Sequence, residues 1–235
     1  DYVQVDETTV PIINREKHKA DKEYLWMVRS VMERLVIFHY DGGSRAGAVI
    51  ESLANQYNFK GYLQCDGFAG YETAFKANPD VRLLNCLVHI RRHFGQAVDE
   101  NREMAQHALT QIQHIYKIER QCDEAGLSYD ERRQKRQELA RPIMEAMKVW
   151  METEGIKYSP GSLTGKAITY AYTKWDNIMR CLDDGRLYWD NNLAENVQRP
   201  ITLSRKNFLF CGNHEAAANM SVICSLLATC KAHDV

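Results

Sequence analysis

Three acidic residues occupy positions where an acid needs either a partner or a chemical role. Asp6 lies inside the alternating stretch YVQVDETTVPII, which has the pattern of a β-strand, and acids are depleted inside strands. Asp66 follows the apolar run GYLQC and closes another predicted strand, at the kind of strand end where α/β proteins gather their sites. Glu195 lies in LYWDNNLAENVQRP, off the helical face that Leu193 and Val197 would share.

The chemistry that these acids support depends on how close together they lie. Neighbouring carboxylates repel each other unless a proton or a cation neutralises them. Hard oxygen ligands without thiolates favour Mg²⁺ or Mn²⁺. Two such ions, roughly 3.5–4 Å apart, cleave phosphodiesters by activating the attacking oxygen and stabilising the leaving one. If the strands of Asp6 and Asp66 are neighbours, the sequence predicts such a centre.

Each acid taken alone also has an ordinary explanation. An aspartate followed by glycine, as at Asp66, is most often a turn residue. Glu195 has Arg199 four positions further on, and such a helical ion pair contributes only about 0.3–0.5 kcal/mol. Asp6 has the position that most needs a reason. Other acids sit in loops or beside glycine and are predicted to be turn residues, namely Asp41, Asp183 and Asp184.

The start of the chain predicts the sheet that positions two of these acids. Three apolar runs with short connections suit antiparallel hairpins, and the later strands alternate with helices. The predicted order is strand, strand, strand, helix, strand, helix, strand, which implies a mixed five-stranded sheet. The predicted elements cover residues 2–13, 23–32, 34–43, 44–57, 61–71, 71–79 and 81–90, and Ser44 is predicted to cap the first helix.

From about Arg91 onward the pattern becomes helical. Apolar residues recur at three- and four-residue spacing, and the charged run at 131–137 is flanked by acids, which predicts a solvated helix face. The fold class predicted is therefore α/β, with an all-helical stretch between the sheet and the end of the chain. The helical segments cover residues 107–121, 130–154, 166–185 and 214–233.

Pro200 is predicted to limit the helix that carries Glu195. Proline disfavours helical geometry in the residue before it, so we expect an end or a kink near Arg199. The stretch at 201–210, ITLSRKNFLF, is then predicted to be extended.

The composition is that of an ordinary globular chain and does not by itself indicate a partner. Of 235 residues 45% are hydrophobic and 26% charged, and the formal net charge is −1. No apolar run approaches the roughly 20 residues that cross a bilayer, so we expect no membrane partner. The seven cysteines form no CxxC pair, which favours reduced thiols and a cytoplasmic location. Because the chain opens almost inside a strand, we expect a longer protein.

Three blocks of sequence together resemble one protein family. The blocks are YLQCDGFAGYETAF, CLVHIRRHF and LDDGRLYWDNNLAENVQRPITLSRKNFLFCG, and the opening VDETTVPI is similar to the family's first catalytic strand. They resemble the DDE transposases of the insertion sequence 66 family over nearly the whole chain. The resemblance implies a ribonuclease H-like mixed five-stranded sheet with flanking helices. It places the core at 1–94 and 190–235, interrupted by an all-α insertion at 95–189.

The same resemblance implies the catalytic residues and their cofactor. Asp6, Asp66 and Glu195 would form the catalytic triad and hold Mg²⁺ or Mn²⁺, with two ions in the site. Members of the family often carry arginine directly after the motif glutamate, whereas this chain has Asn196 there. That departure leaves Arg199 as the nearest base for a DNA contact.

Basic residues near the acids are candidates for contacts with DNA phosphates. His89 belongs to a Cys-x-x-His string at the end of the fifth predicted strand, and a similar string lies beside the active site in related transposases. A half-buried structural histidine and surface charges are the alternatives for this group. Trp189 is a candidate for stacking on a flipped base, with core packing as its alternative. The phosphate-binding candidates are His89, Arg91, Arg92, Arg199, Arg205 and Lys206.

The predicted function is metal-dependent hydrolysis at transposon ends, followed by attack of the freed 3′-hydroxyl on target DNA. The predicted partners are double-stranded DNA and further copies of the chain assembled on it. One alternative is a ribonuclease H-like nuclease without strand transfer, which a product assay distinguishes. The other is a non-catalytic DNA-binding or assembly module derived from a transposase, which would bind Mn²⁺ poorly.

Overall fold

Five strands form one mixed sheet in the computed structural model, which describes all 235 residues. Their order across the sheet is β3-β2-β1-β4-β5. β1 runs antiparallel to β2 and parallel to β4, and β2 runs antiparallel to β3. The predicted mixed five-stranded sheet is therefore confirmed. The strands are β1 (Tyr2–Asn14), β2 (Lys19–Ser30), β3 (Val36–His39), β4 (Gly61–Cys65) and β5 (Val81–Asn85).

Nine α-helices accompany the sheet, and none of them is both long and apolar enough to span a bilayer. A π-helical turn at Arg136–Ala140 precedes the sixth helix, and a 3₁₀ turn at Arg180–Leu182 follows the seventh. The helices are α1 (Gly47–Gln56), α2 (Ala69–Phe75), α3 (Leu87–Gln96), α4 (Arg102–Glu124), α5 (Tyr129–Lys135), α6 (Arg141–Gly155), α7 (Leu163–Met179), α8 (Asn192–Phe208) and α9 (His214–Ala232).

The chain forms two compact units. The first unit contains residues 1–83 and 191–235, and the second unit contains residues 84–190. The all-α insertion was predicted to begin at residue 95 and to end at residue 189 within the core. These two boundaries stay a prediction.

In the first unit, helices cover both faces of the sheet. They do so because the strands point apolar side chains to both faces. Side chains at successive strand positions point to opposite faces. Trp26 therefore packs with α1 and α2, while Leu25 and Met27, its neighbours on β2, pack against α8 and α9. Burial on both faces is what fixes the register of these strands.

The edge strand β3 is tied to α9 by side-chain hydrogen bonds. The backbone N–H of Phe38 donates to Ser225 Oγ at 2.8 Å, and that of Val36 donates to Thr229 Oγ1 at 3.0 Å. These hydroxyls accept from backbone N–H groups that would have no partner on an exposed edge strand. α9 therefore also blocks the pairing of β3 with a further strand.

A buried arginine organises the second unit. The Arg136 side chain is 1% exposed, and its Nε lies 2.7 Å from Glu119 Oε1. Its two terminal nitrogens donate to the carbonyl oxygens of Cys181 and Leu187 at 2.8 Å and of Asp184 at 3.0 Å. One side chain thus joins α4, the π-helical turn and the loop that follows α7.

The predicted solvated face at 131–137 is wrong for two of its arginines. Arg136 is buried, and Arg132 also contacts Glu119, at 2.9 Å. The acids that flank the run in sequence suggested mutual screening, but the long-range partner Glu119 lies on another helix, where sequence spacing does not reveal it. Arg133, in the same run, is exposed as predicted.

The predicted fifth strand at 81–90 is wrong in its second half. β5 ends at Asn85 and α3 begins at Leu87, so His89 lies in a helix and not at a strand end. A short apolar run does not by itself distinguish a buried strand from a buried helix. The buried side chains of α3 show the helical spacing, namely Leu87, Ile90 and Phe94.

The expected break of the helix at Pro200 is also wrong. α8 continues through Pro200 to Phe208, and residues 201–208 are helical rather than extended. Pro200 is exposed, whereas Ala194, Gln198 and Ile201 form a buried face on both sides of it. Packing of that face against the sheet outweighs the hydrogen bond that a proline removes from a helix.

Two smaller predictions need correction. α1 begins at Gly47, and Ser44 Oγ accepts a hydrogen bond from the N–H of Ala46 at 3.1 Å instead of capping the helix. Trp189 is only 2% exposed, with the Arg136 guanidinium 5.4 Å from the centre of its ring. A ring buried to that extent does not present a face to a DNA base, so core packing is its role.

Candidate active site

Asp6 and Asp66 follow the paired part of two neighbouring parallel strands. β1 pairs with β4 through Gln4 opposite Gln64, and the two earlier pairs keep the same register. Asp6 lies two residues beyond Gln4 on β1, and Asp66 directly follows Cys65, the last residue of β4. Residues two apart on a strand point to the same face, so Asp6 shares its face of the sheet with Gln4.

The first turn of α8 holds Glu195 against the same strands. The N–H of Ala194 donates to Gln4 Oε1 at 3.1 Å, and the Arg29 guanidinium donates to the carbonyl of Leu193 at 3.4 Å. These bonds tie the turn to β1 and β2. Glu195 lies in the first turn of α8.

The negative charges of Asp66 and Glu195 both act on the Asp6 carboxyl. Burial raises the pKa of the Asp6 carboxyl to about 8, and the charges of Glu7, Asp66 and Glu195 act in the same direction. A hydrogen bond from the N–H of Glu7 to Asp6 Oδ1, at 2.9 Å, acts against the shift. The structure thus brings the three predicted acids into one electrostatic neighbourhood.

Asp66 also serves the turn that starts α2. Its Oδ1 accepts a hydrogen bond from the N–H of Phe68 at 2.8 Å. This bond fixes one carboxylate oxygen in an Asx-type turn. The turn role and a catalytic role of Asp66 are therefore compatible.

The donor set fits a hard divalent cation. Three carboxylates supply the oxygen ligands that Mg²⁺ and Mn²⁺ prefer. Two buried amides flank Glu195 in sequence, and neither the side chain of Asn191, at the N-cap of α8, nor Gln198 Nε2 has a hydrogen-bonding partner in the chain. Buried polar atoms of this kind call for an ion or a water. The acids themselves do not converge as a closed set of three metal ligands.

A strand residue that the sequence analysis missed lies beside this site. The Glu7 side chain is 3% exposed, accepts two hydrogen bonds from Arg45 at 2.7 and 2.9 Å, and accepts one from the Tyr71 hydroxyl at 3.0 Å. Burial raises the pKa of Glu7, and its bonds to Arg45 and Tyr71 oppose the shift. Its position next to Asp6, inside the same strand, was the available signal.

The predicted phosphate-binding residues are in different surroundings. Arg199 and Lys206 are exposed on α8, while the Arg205 guanidinium donates to the carbonyl and hydroxyl oxygens of Thr9. In the second unit His89 is half-buried, and Arg91 and Arg92 are exposed on α3. A DNA contact stays a prediction for all six.

The other acids considered have partners of their own. Asp41 is exposed in the turn after β3, where its carbonyl accepts from the N–H of Ser44 at 3.0 Å. In the second unit Asp184 pairs with Arg186 at 2.6 Å, and Asp183 pairs with Arg141 at 3.4 Å. Asp41 provides an exposed control for substitutions in the first unit.

Replacing Asp6 by Asn is expected to stabilise the metal-free protein at neutral pH. The unfolded carboxyl has a pKa near 3.8 and the folded one near 8, so the native state must take up a proton that the unfolded state has released. Stability therefore falls as the pH rises between these values. An asparagine side chain needs no proton, and we expect a gain on the order of 2–4 kcal/mol at pH 7.

Urea unfolding with EDTA present measures this change, and the gain should shrink as the pH falls toward 4 and vanish below about pH 3, where both states are protonated. Asp41→Asn serves as the exposed control and should leave the free energy of unfolding unchanged. Lower stability of Asp6→Asn at pH 7 would contradict the electrostatic account of the site.

Comparisons with known proteins give one matching family and three relatives. A family model described as "Transposase IS66 family" matches residues 1–219. The curated relatives are three proteins of Sinorhizobium fredii (strain NBRC 101917 / NGR234) named "Uncharacterized protein" y4qI, y4hP and y4jD. The chain is 31% identical to y4qI, covering 99% of this chain and 45% of the relative. It is 27% identical to y4hP, covering 98% and 45%.

The third relative, y4jD, is 32% identical over 74% of this chain and 35% of its own length. The chain thus spans less than half the length of the curated relatives it matches.

Proposed function

The chain belongs to the IS66 family of transposases, and from that premise we propose that its first unit is a metal-dependent DNA-cleaving and DNA-joining centre. The reaction is hydrolysis of a phosphodiester at each transposon end, followed by attack of the freed 3′-hydroxyl on target DNA. The fold proposed for this unit is ribonuclease H-like, which the mixed sheet with helices on both faces supports.

One observation carries the proposal. β1 and β4 pair as far as Gln4 and Gln64, just before Asp6 and Asp66, and the first turn of α8, bonded to Gln4, carries Glu195, whose charge acts on Asp6. Three acids from distant parts of the sequence thus lie near one end of these strands. A buried cluster of like charges at that end is unfavourable for folding alone, and functional sites are where such arrangements occur.

In the proposed mechanism Asp6, Asp66 and Glu195 hold two Mg²⁺ or Mn²⁺ ions. When bound, the ions supply Lewis-acid activation of the attacking oxygen and stabilise the leaving oxygen. Asp6 would have to lose its proton before it could act as a ligand, and the turn bond to the Phe68 N–H holds the Asp66 carboxylate in place. No side chain of the protein is required as a covalent nucleophile, so no protein–DNA intermediate forms.

DNA binding is proposed for the exposed bases that follow Glu195 on α8. Arg199 and Lys206 are exposed and lie on the helix of a catalytic acid, which suits contacts that position a phosphate backbone. Arg205 already binds Thr9 and so contributes first to the hold of α8 on β1. Assembly of several copies on paired DNA ends is part of the same proposal.

A product assay tests the proposed function. With Mg²⁺ and a plasmid carrying the ends of its own element, we expect cut ends with free 3′-hydroxyls and products joined to target DNA. Replacing Mg²⁺ by EDTA should abolish both products. Cut ends without joined strands would favour the nuclease, and the absence of any product from a folded protein that binds Mn²⁺ poorly would favour the non-catalytic module.

A further inference from the structure

Two buried glutamines each lie two residues before one of the two aspartates. The sequence reads Gln4-Val-Asp6 on β1 and Gln64-Cys-Asp66 on β4, and both glutamines are 0% exposed. Residues two apart share a strand face, so each amide lies next to a carboxylate along its own strand. A buried amide requires hydrogen-bonding partners, since burial without them is unfavourable.

The glutamine side chains join the three segments that carry the acids. Gln4 Nε2 donates to Gln64 Oε1 at 2.8 Å, and Gln4 Oε1 accepts from the N–H of Ala194 at 3.1 Å. The same N–H is shared with the carbonyl of Asn191 at 2.9 Å. The Tyr2 hydroxyl also donates to Gln64 Oε1. The side-chain amide of Gln4 thus contacts Ala194, the residue before Glu195, and Gln64, on the strand that precedes Asp66.

Main-chain pairing does not replace this connection. The residue pairs between β1 and β4 end at Gln4 opposite Gln64, so Asp6 and Asp66 lie beyond the last paired residues. Glu195 belongs to a helix, which has no ladder with either strand. Near the acids, the Gln4 side chain is the group that bonds both to β4 and to the first turn of α8, while Arg29 and Arg205 bond α8 to β2 and β1.

We propose that Gln4 is a positioning residue that sets the spacing of the three metal-binding acids, an inference that rests on the proposed function. We call Gln4, Gln64 and the N–H of Ala194 the crossbar. Metal-site geometry must be held to within about 0.5 Å to work. Loss of a group that orients metal ligands typically weakens metal binding by about 10–100-fold.

The test is Mn²⁺ titration of the chain by calorimetry with a Gln4→Met variant. Methionine keeps the volume and the apolar packing but neither bonds Gln64 nor accepts from Ala194. We expect a dissociation constant about 10–100-fold higher than that of the native chain.

Ser225→Ala is the matched control for lost stability. It removes another side-chain bond between a helix and a strand of the first unit, that of Ser225 with the N–H of Phe38, far in sequence from the acids. We expect its Mn²⁺ affinity to equal the native value. If Gln4→Met does not fold, Gln4→Asn replaces it, since its amide is one methylene too short to reach both partners.

The outcomes separate the crossbar from the function it serves. Native-like Mn²⁺ affinity in Gln4→Met, or an equal loss in Ser225→Ala, would overturn the crossbar while leaving the three acids as the metal site. A native chain whose Mn²⁺ binding does not respond to Asp66→Asn would overturn the proposed function itself, and with it this inference. Selective weakening in Gln4→Met, with native Mn²⁺ affinity in Ser225→Ala, supports it.

Discussion

Replacing Asp66 by Asn is expected to lower the rate of DNA cleavage by on the order of 10³-fold or more while the protein stays folded. The substitution keeps the size of the side chain and leaves an oxygen that can accept from the N–H of Phe68. It removes the negative charge that a divalent cation needs. Asp6→Asn and Glu195→Gln are expected to give losses of the same order, because the three acids act as one site.

Cleavage rates of the purified variants with Mg²⁺ measure this prediction, and thermal unfolding shows that each variant is folded. Asp41→Asn is the matched control, since Asp41 is an exposed aspartate of the same unit that lies in a turn. It should retain the native rate. A native rate in any one of the three acid variants would remove that residue from the proposed triad.

The second large effect is expected at Arg136 in the second unit. Arg136→Met should destabilise that unit by about 3–5 kcal/mol, because it removes the buried partner of the Glu119 carboxylate and leaves it only the more exposed Arg132. Burial alone would raise the pKa of Glu119, and the hydrogen bond and charge of Arg136 hold it below its ordinary value. The substitution also removes the donors to three carbonyl oxygens.

Urea unfolding of Arg136→Met measures the loss. Arg133→Met lies in the same run on an exposed position and should change the free energy of unfolding by less than about 0.5 kcal/mol. The double variant Glu119→Gln, Arg136→Met should recover part of the stability, since no unpaired charge is then buried. Equal stability of Arg136→Met and Arg133→Met would show that the buried network contributes nothing.

The sequence alone was sufficient to predict the strands that hold Asp6 and lead to Asp66. An acid inside a strand at Asp6 and a strand-ending acid at Asp66 are local signals, and the mixed sheet followed from hairpin-like and helix-linked strands. Glu195 required the family resemblance, because a helical glutamate near Arg199 has an ordinary explanation. Once the sheet is formed, the equal spacing of Gln4-Asp6 and Gln64-Asp66 shows why β1 and β4 pair in this register.

The remaining features depend on partners that are distant in sequence. Arg136 resembles a surface arginine until Glu119 and the carbonyl oxygens around it are in place. α8 continues through Pro200 because its buried face packs on the sheet, which no local propensity shows. The same limit applies to Gln4, whose role is visible only when Gln64 and Ala194 are brought beside it.

The central claim is that Asp6, Asp66 and Glu195 together bind divalent cations. Mn²⁺ titration by calorimetry, near pH 8 so that Asp6 can ionise, compares the native chain with Asp66→Asn, Glu195→Gln and Asp41→Asn. We predict saturable binding that Asp66→Asn and Glu195→Gln each weaken at least about tenfold and that Asp41→Asn leaves unchanged. Binding of equal strength in all four proteins would contradict the claim.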